Sequence, residues 1–236
     1  MKKLYITLSL ITLPLSFIYA QSADDIINKY INAVGGKAKL ETIKNVYMEG
    51  TMNMGGSPVS LKYWVVNKKS MRYEYTAAGQ TSFNILTNDS GWVYNAIMGG
   101  APDPLSASMV RASQPQLDPS GLLCDYKAKG YKVEYKGKSS VSGSQTYKVV
   151  EKISDSLANT YYFDTATYYI VRVTFKSTVD GRQIELGRDF GDYKKTDNGY
   201  MFPFKMNTGG GFGDVEFTSI KVNTTIDPKL FKPNGK

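Results

Sequence analysis

Large apolar and aromatic side chains recur at every second position through much of this chain. Leu61, Tyr63 and Val65 form one run, Met71, Tyr73 and Tyr75 another, and Tyr169, Val171, Val173 and Phe175 a third. The chemistry such residues can do is noncovalent. Tyr buries a ring while keeping a polar tip, and Met adapts its shape to irregular partners. With 18 Tyr, 10 Phe, 9 Met and 2 Trp, the chain can line a roomy apolar cavity or fill an ordinary barrel core, and both readings stand. The candidate cavity lining is Leu61, Tyr63, Met71, Tyr73, Phe83, Ile85, Trp92, Tyr94, Phe163, Val173, Phe175 and Phe202.

Reactive chemistry is sparse by comparison. The chain has no histidine and a single cysteine, Cys124. That removes Ser-His-Asp and Cys-His catalysis, and it removes zinc sites built on His or on several Cys. Ser-x-x-Lys and Gly-x-Ser-x-Gly nucleophile patterns do not occur. Gly209-Gly210-Gly211-Phe212-Gly213 fits neither a P-loop nor a dinucleotide fingerprint and reads as a hairpin loop. No acid cluster matches a calcium loop. The expectation is a protein that is not an enzyme and takes no cofactor or metal; the remaining catalytic alternative is a pair of carboxylates brought together in space.

The elements that must position these side chains are mostly strands. Alternation with β-branched and aromatic residues marks about ten or eleven of them, from Val46 to Phe217. Asp180-Gly181 and Asn198-Gly199 are hairpin turn pairs. Such a series predicts one large antiparallel sheet, which must curl around something that covers its apolar face. One long helix is expected at its start. Ser22 is the N-cap with Asp25 three residues on, Ala23, Ile26, Ile27, Tyr30, Ile31 and Val34 follow at helical spacing, and Gly35-Gly36 ends it. Short helices are expected over Lys37 to Lys44 and Ser120 to Lys129. Between strands and helix, Ala96 to Pro119 carries four prolines and reads as a long loop of the kind that is functional or disordered.

Residues 1 to 20 have the layout of a secretory signal peptide: Lys2 and Lys3, the apolar stretch Leu4 to Tyr19, then Ala20. The stretch is too short for a stable membrane span, the alternative being an uncleaved anchor. Gln21 follows where a bacterial lipoprotein needs Cys, so residues 21–236 are expected to form a single soluble domain in the periplasm. In an oxidising compartment Cys124 is expected to be buried beside Leu122 and Leu123, or else to pair between molecules. The net charge of +8 is spread over lysines along the chain. That pattern marks a solvated surface or attraction to anionic lipid headgroups rather than nucleic acid, which needs a clustered basic stripe.

Several stretches together carry a family likeness. Trp64-Val65 is followed by Lys68, Lys69 and Arg72. Residues 82–95 run from an apolar strand through Asp89-Ser90-Gly91 to an aromatic strand ending in Tyr94-Asn95. Tyr161 to Asp164, Phe190 to Tyr193 and Ile226 to Phe231 add further matches, and Ile31 to Gly36 has a form common in secreted Bacteroidetes members. With these features the chain resembles the periplasmic lipoprotein-sorting carriers of the LolA/LolB-like group. The resemblance implies a mainly β (α+β) fold: a strongly curved, unclosed antiparallel barrel wrapped around short helices, with an apolar cavity for lipid or lipoprotein acyl chains. It also implies a carrier that takes cargo from an inner-membrane donor to an outer-membrane acceptor, here as a monomer. A basic residue after the Trp-Val strand would hold the lid, with Lys68, Lys69 and Arg72 as candidates and the proline-rich segment as the lid. The rival reading is a binding module on the same scaffold, its core filled, that recognises a protein partner in the envelope.

Overall fold

The computed structural model describes residues 21–54, 56–179, 181–207 and 213–233. The leader expected at 1–20, Asp180 of one expected turn and the glycine run at 209–212 lie outside the described residues. The first helix, α1 (Ala23–Ala33), starts with the expected capping box: the Ser22 hydroxyl accepts from the Asp25 amide, and the Asp25 carboxylate accepts from the Ser22 amide. It ends where Gly35 and Gly36 take positive φ, at 131° and 87°. Ile26, Ile27 and Ile31 are buried, which contributes roughly 5–9 kcal/mol before chain entropy is counted. The next helix, α2 (Lys37–Leu40), is a single turn.

Strands follow in nearly unbroken series: β1 (Asn45–Met54), β2 (Ser57–Val66), β3 (Ser70–Ala77), β4 (Gln80–Thr87), β5 (Gly91–Tyr94) and the two-residue β6 (Asp103–Pro104). After α3 (Ala107–Ser113) come β7 (Lys132–Val141), β8 (Ser144–Lys152), β9 (Leu157–Asp164), β10 (Ile170–Val179), β11 (Arg182–Lys195), β12 (Met201–Asn207) and β13 (Asp214–Val222). All pair antiparallel in one sheet of order β6-β5-β4-β3-β2-β1-β13-β12-β11-β10-β9-β8-β7. The two end strands do not pair with each other, so the sheet is an open trough. The expectation of about ten or eleven strands falls short of the thirteen among the described residues, but the curved, unclosed, mainly β architecture is the one expected.

Register assigns the faces. Val46, Met48, Gly50 and Met52 of β1 stand opposite Val65, Tyr63, Leu61 and Val59 of β2, and Val65, Tyr63 and Leu61 stand opposite Met71, Tyr73 and Tyr75 of β3. This inner face continues through Val222, Ile220, Phe217 and Val215 of β13. A bulge at Glu49/Gly50 shifts the register there, and a Cβ on Gly50 would lie 2.4 Å from the Glu216 carbonyl oxygen, so only glycine permits this close approach. Helix α1 lies on the inner face. Its Tyr30 ring meets Phe163 of β9 edge-on at 5.5 Å, and Ile26, Ile27 and Ile31 join Val46, Val149, Phe163 and Val173 in the main core.

Two loop expectations need correction. Ser120 to Lys129 does not form a helix. It is a run of turns, with Gly121, Asp125 and Gly130 all at positive φ, a backbone state that interrupts a right-handed helix. Its Tyr126 hydroxyl and Lys127 ammonium bind the Asp24 carboxylate, the latter at 2.7 Å, which ties the turns to the positive start of α1. Cys124 is buried within this run, as expected. Conversely, the proline-rich segment contains α3 and a 3-10 turn at Gln114–Leu117. Ser106 caps α3 by accepting from the Met109 amide, and no proline intervenes between residues 105 and 114. Among the described residues no helix is long and apolar enough to cross a membrane.

Candidate functional site

The inner face is not uniform. At the end nearest α1, the main core is fully closed. At the far end, Met52, Val59, Leu61 and Val215 form a second buried cluster. Between the two lie Met48, Tyr63, Tyr73, Phe175 and Phe217, each only partly buried although it points into the trough. Along β11 the inner positions are Ile184, Leu186, Arg188 and Phe190, facing Ser177, Phe175 and Val173 of β10 in register. Ile184 is 42% and Leu186 54% exposed. Aromatic and aliphatic side chains left half-covered on a concave surface are what an apolar ligand would complete.

The segment over this region is the proline-rich one. Helix α3 contacts β4 on one wall and β10 on the other, and the 3-10 turn contacts β3. Three polar ties hold it. The Lys68 amide donates to the Leu117 carbonyl at 2.8 Å. The Gln114 side-chain amide donates to the Thr87 and Asn88 carbonyls at 3.0 and 3.2 Å, and the Tyr63 hydroxyl reaches the Gln116 carbonyl at 3.5 Å. All three come from the main chain or from a neutral side chain; the one lysine ammonium on the segment among the described residues is that of Lys129, at Asp118. Beside the segment runs a cleft of about 580 Å³ lined by Lys68, Arg111, Asp118, Lys129, Ser154 and Ser156 among others. Asp118 on its wall is held by Lys129 at 2.6 Å. Leu117, Leu122, Tyr131, Ile153 and Leu157 give this cleft an apolar lining beside its charged groups, and the half-buried aromatics of the inner face lie outside it.

The candidate lining residues divide into three groups. Tyr63, Tyr73 and Phe175 line the half-open middle. Leu61, Met71, Phe163 and Val173 are on the inner face but wholly buried in the two cores, where neighbours and α1 already cover them; Phe202, half-buried, packs against the main core on the strand tied to α1 by the Met201 amide and Val34 carbonyl. Phe83, Ile85, Trp92 and Tyr94 are corrected: they point to the outer face. Met71 of β3 stands opposite Leu86, and Tyr73 opposite Asn84, so the period of two sends Phe83 and Ile85 to the other side, where they pair with Tyr94 and Trp92. Phe83 and Ile85 are nonetheless buried, because the C-terminal 3-10 turn Pro228–Phe231 crosses β3 and β4.

Arg72 belongs to that outer cluster, and its candidacy as a lid residue is corrected with it. Its guanidinium is 2.6 Å from Glu74, donates to the Leu230 carbonyl at 3.0 Å, and lies 4.2 Å from the Phe83 ring centroid. It fastens the C-terminal segment. Lys68, at φ 54°, meets the lid segment through its main chain, and Lys69 is exposed.

Two charged groups on the inner face escaped the sequence reading. Glu151, 0% exposed, accepts from the Tyr161 hydroxyl at 2.8 Å and from Asn159 at 3.2 Å, both on its Oε2. Its Oε1 and the Asn159 Oδ1 have no partner among the described residues. Burial raises the Glu151 pKa above its ordinary value, and the Tyr161 and Asn159 bonds oppose that rise. A protonated carboxyl there supplies a hydrogen that an ionised one lacks. Arg188 is half-buried, with its guanidinium carbon 5.1 Å from the Phe175 ring centroid. Burial lowers its pKa, and the Tyr63 and Tyr73 phenols act on it across the trough. Those phenols are themselves pushed up to about 12 by burial, with the Arg188 charge pulling them back. Among the described residues no cluster of His, Cys, Asp and Glu could hold a metal ion. Alternation through Ile184, Leu186 and Arg188 was the available signal for the cation; a lone Glu at position 151 offers none.

No family profile matches the sequence, and no curated protein matches it. Solved structures do share the fold. A LolA superfamily protein from Nitrosomonas europaea matches with a TM-score of 0.54 at 13% identity, over 90% of this chain and 98% of that one. A DUF1329 family protein from Desulfovibrio piger matches with 0.53 at 13% identity, over 89% and 96%. A domain named for outer membrane lipoprotein sorting from Vibrio parahaemolyticus matches with 0.50 at 13% identity, over 88% and 98%. The chain therefore has the LolA-like fold over nearly all its described length.

Proposed function

We propose that this chain, a LolA-like open barrel, is a periplasmic carrier that shelters the acyl chains of a lipid or lipoprotein during transfer across the envelope. The observation that carries the reading is the half-buried middle of the inner face, Tyr63, Tyr73, Phe175 and Phe217, beside Ile184 and Leu186. Each methylene of a bound chain removed from water there contributes about 0.8 kcal/mol. Release needs no chemistry, only a second state in which the lid segment around α3 has moved and a receptor binds the cargo more tightly. Val110 and Leu117 of that segment are buried against the main core, so opening would have to expose them. Fold similarity to lipoprotein-sorting proteins supports the reading but does not by itself assign cargo. The leader at the start of the sequence supports export.

The test is native mass spectrometry of the protein exported to a bacterial periplasm, followed by solvent extraction. Co-purified lipid or acylated peptide near one per chain is the expected result. A bare mass, together with no uptake of a fluorescent fatty acid, overturns the carrier in favour of a filled scaffold that binds a protein partner.

A further inference from the structure

Burying a guanidinium without an anionic partner is costly, and proteins that do so nearly always supply one. Among the described residues Lys39 and Lys148, also half-buried, lie over the Tyr200 and Tyr162 rings, whereas the more deeply placed cations have a carboxylate. Arg72 is paired with Glu74, and Lys129 with Asp118. Arg172, back to back with Arg188 across the same pair of strands, forms a two-pronged ion pair with Asp189. Arg188 does not. It sits on the inner face of β11 between Leu186 and Phe190, and among the described residues it makes no ion pair and no hydrogen bond; its contact is the Phe175 ring at 5.1 Å. The groups facing it are the Tyr63 and Tyr73 phenols of β2 and β3, which donate hydrogen bonds and carry no charge at neutral pH. Glu151, the nearest thing to an acid on that face, is already engaged with Tyr161 and Asn159. Arg188 is half-buried rather than fully buried, so its side chain keeps some access to solvent.

We propose that Arg188, flanked by the Tyr63 and Tyr73 hydroxyls, is the receptor for a monoanionic oxyanion head, carboxylate or phosphate, on an amphiphile whose acyl chain lies along Phe175, Leu186 and Ile184. This rests on the acyl-carrier reading above and sharpens it, because it selects acidic lipids over neutral ones. Guanidinium and an oxyanion fit as a fork with two parallel hydrogen bonds. The Tyr73 phenol adds a neutral donor, and the Tyr63 phenol adds another by giving up its long 3.5 Å bond to the Gln116 carbonyl, neither with competing charge. The apolar strip runs on from Arg188 toward the open tip of β10–β11, so head and tail have separate places on one strand.

The test compares three ligands of equal chain length: a fluorescent fatty acid, its methyl ester and a lysophosphatidylglycerol carrying the same fluorescent chain. Each is titrated into the wild-type protein and into Arg188→Met, which keeps the length of the side chain and removes its charge. The wild type is expected to bind the acid at least about tenfold more tightly than the ester, the scale of one charge-assisted pair. Arg188→Met is expected to lose that preference while binding the ester as before, which also shows that it has folded. The phosphate ligand tells a phospholipid head from a free acid by which of the two anions binds more tightly. Equal wild-type affinity for acid and ester overturns the inference while leaving the carrier reading intact, and so does a preference that survives Arg188→Met. Absence of binding by any of the three overturns both.

Discussion

At the α1 end of the trough, Phe163 and Val149 have no contact with solvent, and the Tyr30 ring is set against Phe163. Toward the tip of β10 and β11 the same face of the same sheet leaves Leu186 half exposed and Arg188 without an ionic partner among the described residues. The first end is covered by α1, with Val110 and Leu117 of the proline-rich segment buried in the same core; the tip of β10 and β11 leaves Ile184 and Leu186 exposed. The sheet alone does not decide what is core and what is site. What decides is where the chain spends its covering elements, and the buried Ile26, Ile27, Ile31 and the Tyr30–Phe163 contact hold α1 over one end. In the proposed carrier the packed end carries stability and the half-open part carries ligand.

The largest expected effect tests that division directly. Phe163→Ala opens a cavity where neighbours cannot collapse and should lower stability by about 3–5 kcal/mol. Phe175→Ala removes the same ring from a half-covered place and should cost less than half as much, while weakening acyl-chain binding. Urea unfolding of both variants reads the first quantity, and titration with a fluorescent fatty acid reads the second. Similar losses of stability for the two variants would mean that the middle of the trough is packed core, and the division would be wrong.

Much of this contrast could be read in the sequence, and its limits have physical causes. Helix α1 was legible to the residue, because capping box, apolar stripe and Gly35-Gly36 all agree. Strand alternation gave the sheet, and it placed Tyr63, Tyr73 and Phe175 each on the apolar face of its own strand. It could not relate one strand's face to another's. Ser82, Asn84 and Leu86 turn inward on β4, so the large residues Phe83 and Ile85, which alternation alone marks as core, face outward under the C-terminal turn. Two apolar faces on one strand cannot be ranked without knowing what covers each. Nor could sequence tell Phe163 from Phe175: both are inward aromatics, and only the position of α1 separates buried from available. Arg72 and Arg188 are equally ambiguous as letters. Pairing with Glu74 and Leu230 retires the first from ligand binding, and lack of a carboxylate nominates the second.

A smaller effect sharpens the comparison from the packed side. Glu151 is a carboxyl whose pKa is raised in the fold by burial. Such a group holds its proton more tightly folded than unfolded. Its favourable contribution is complete below the ordinary carboxyl pKa and is lost as pH rises through the folded value. Glu151→Gln cannot ionise, and its carbonyl can still accept from Tyr161. The variant should therefore match the wild type near pH 4 and become relatively more stable toward pH 8. Thermal unfolding across that range measures the gap. A gap that stays flat, or one that opens in favour of the wild type, would show that the carboxylate is stabilised as an ion, for instance by a proton donor on Oε1.

The smallest expected change in stability belongs to Leu186→Ser. A side chain that is 54% exposed has little burial to lose, and substitutions at such places usually stay within about 0.5 kcal/mol. If the half-open end were merely unfinished core, nothing else would follow. If it is a ligand strip, the missing isobutyl group withdraws its contacts from a bound acyl chain, and affinity should fall about tenfold, the scale of one or two methylenes of burial. Unfolding and fatty-acid titration on one preparation give both numbers. A loss of affinity without a loss of stability assigns Leu186 to the ligand, since a residue that served only the fold would move the two together. The reverse, lower stability with unchanged affinity, would shift the ligand away from β11 and toward Tyr63 and Tyr73 on the opposite wall.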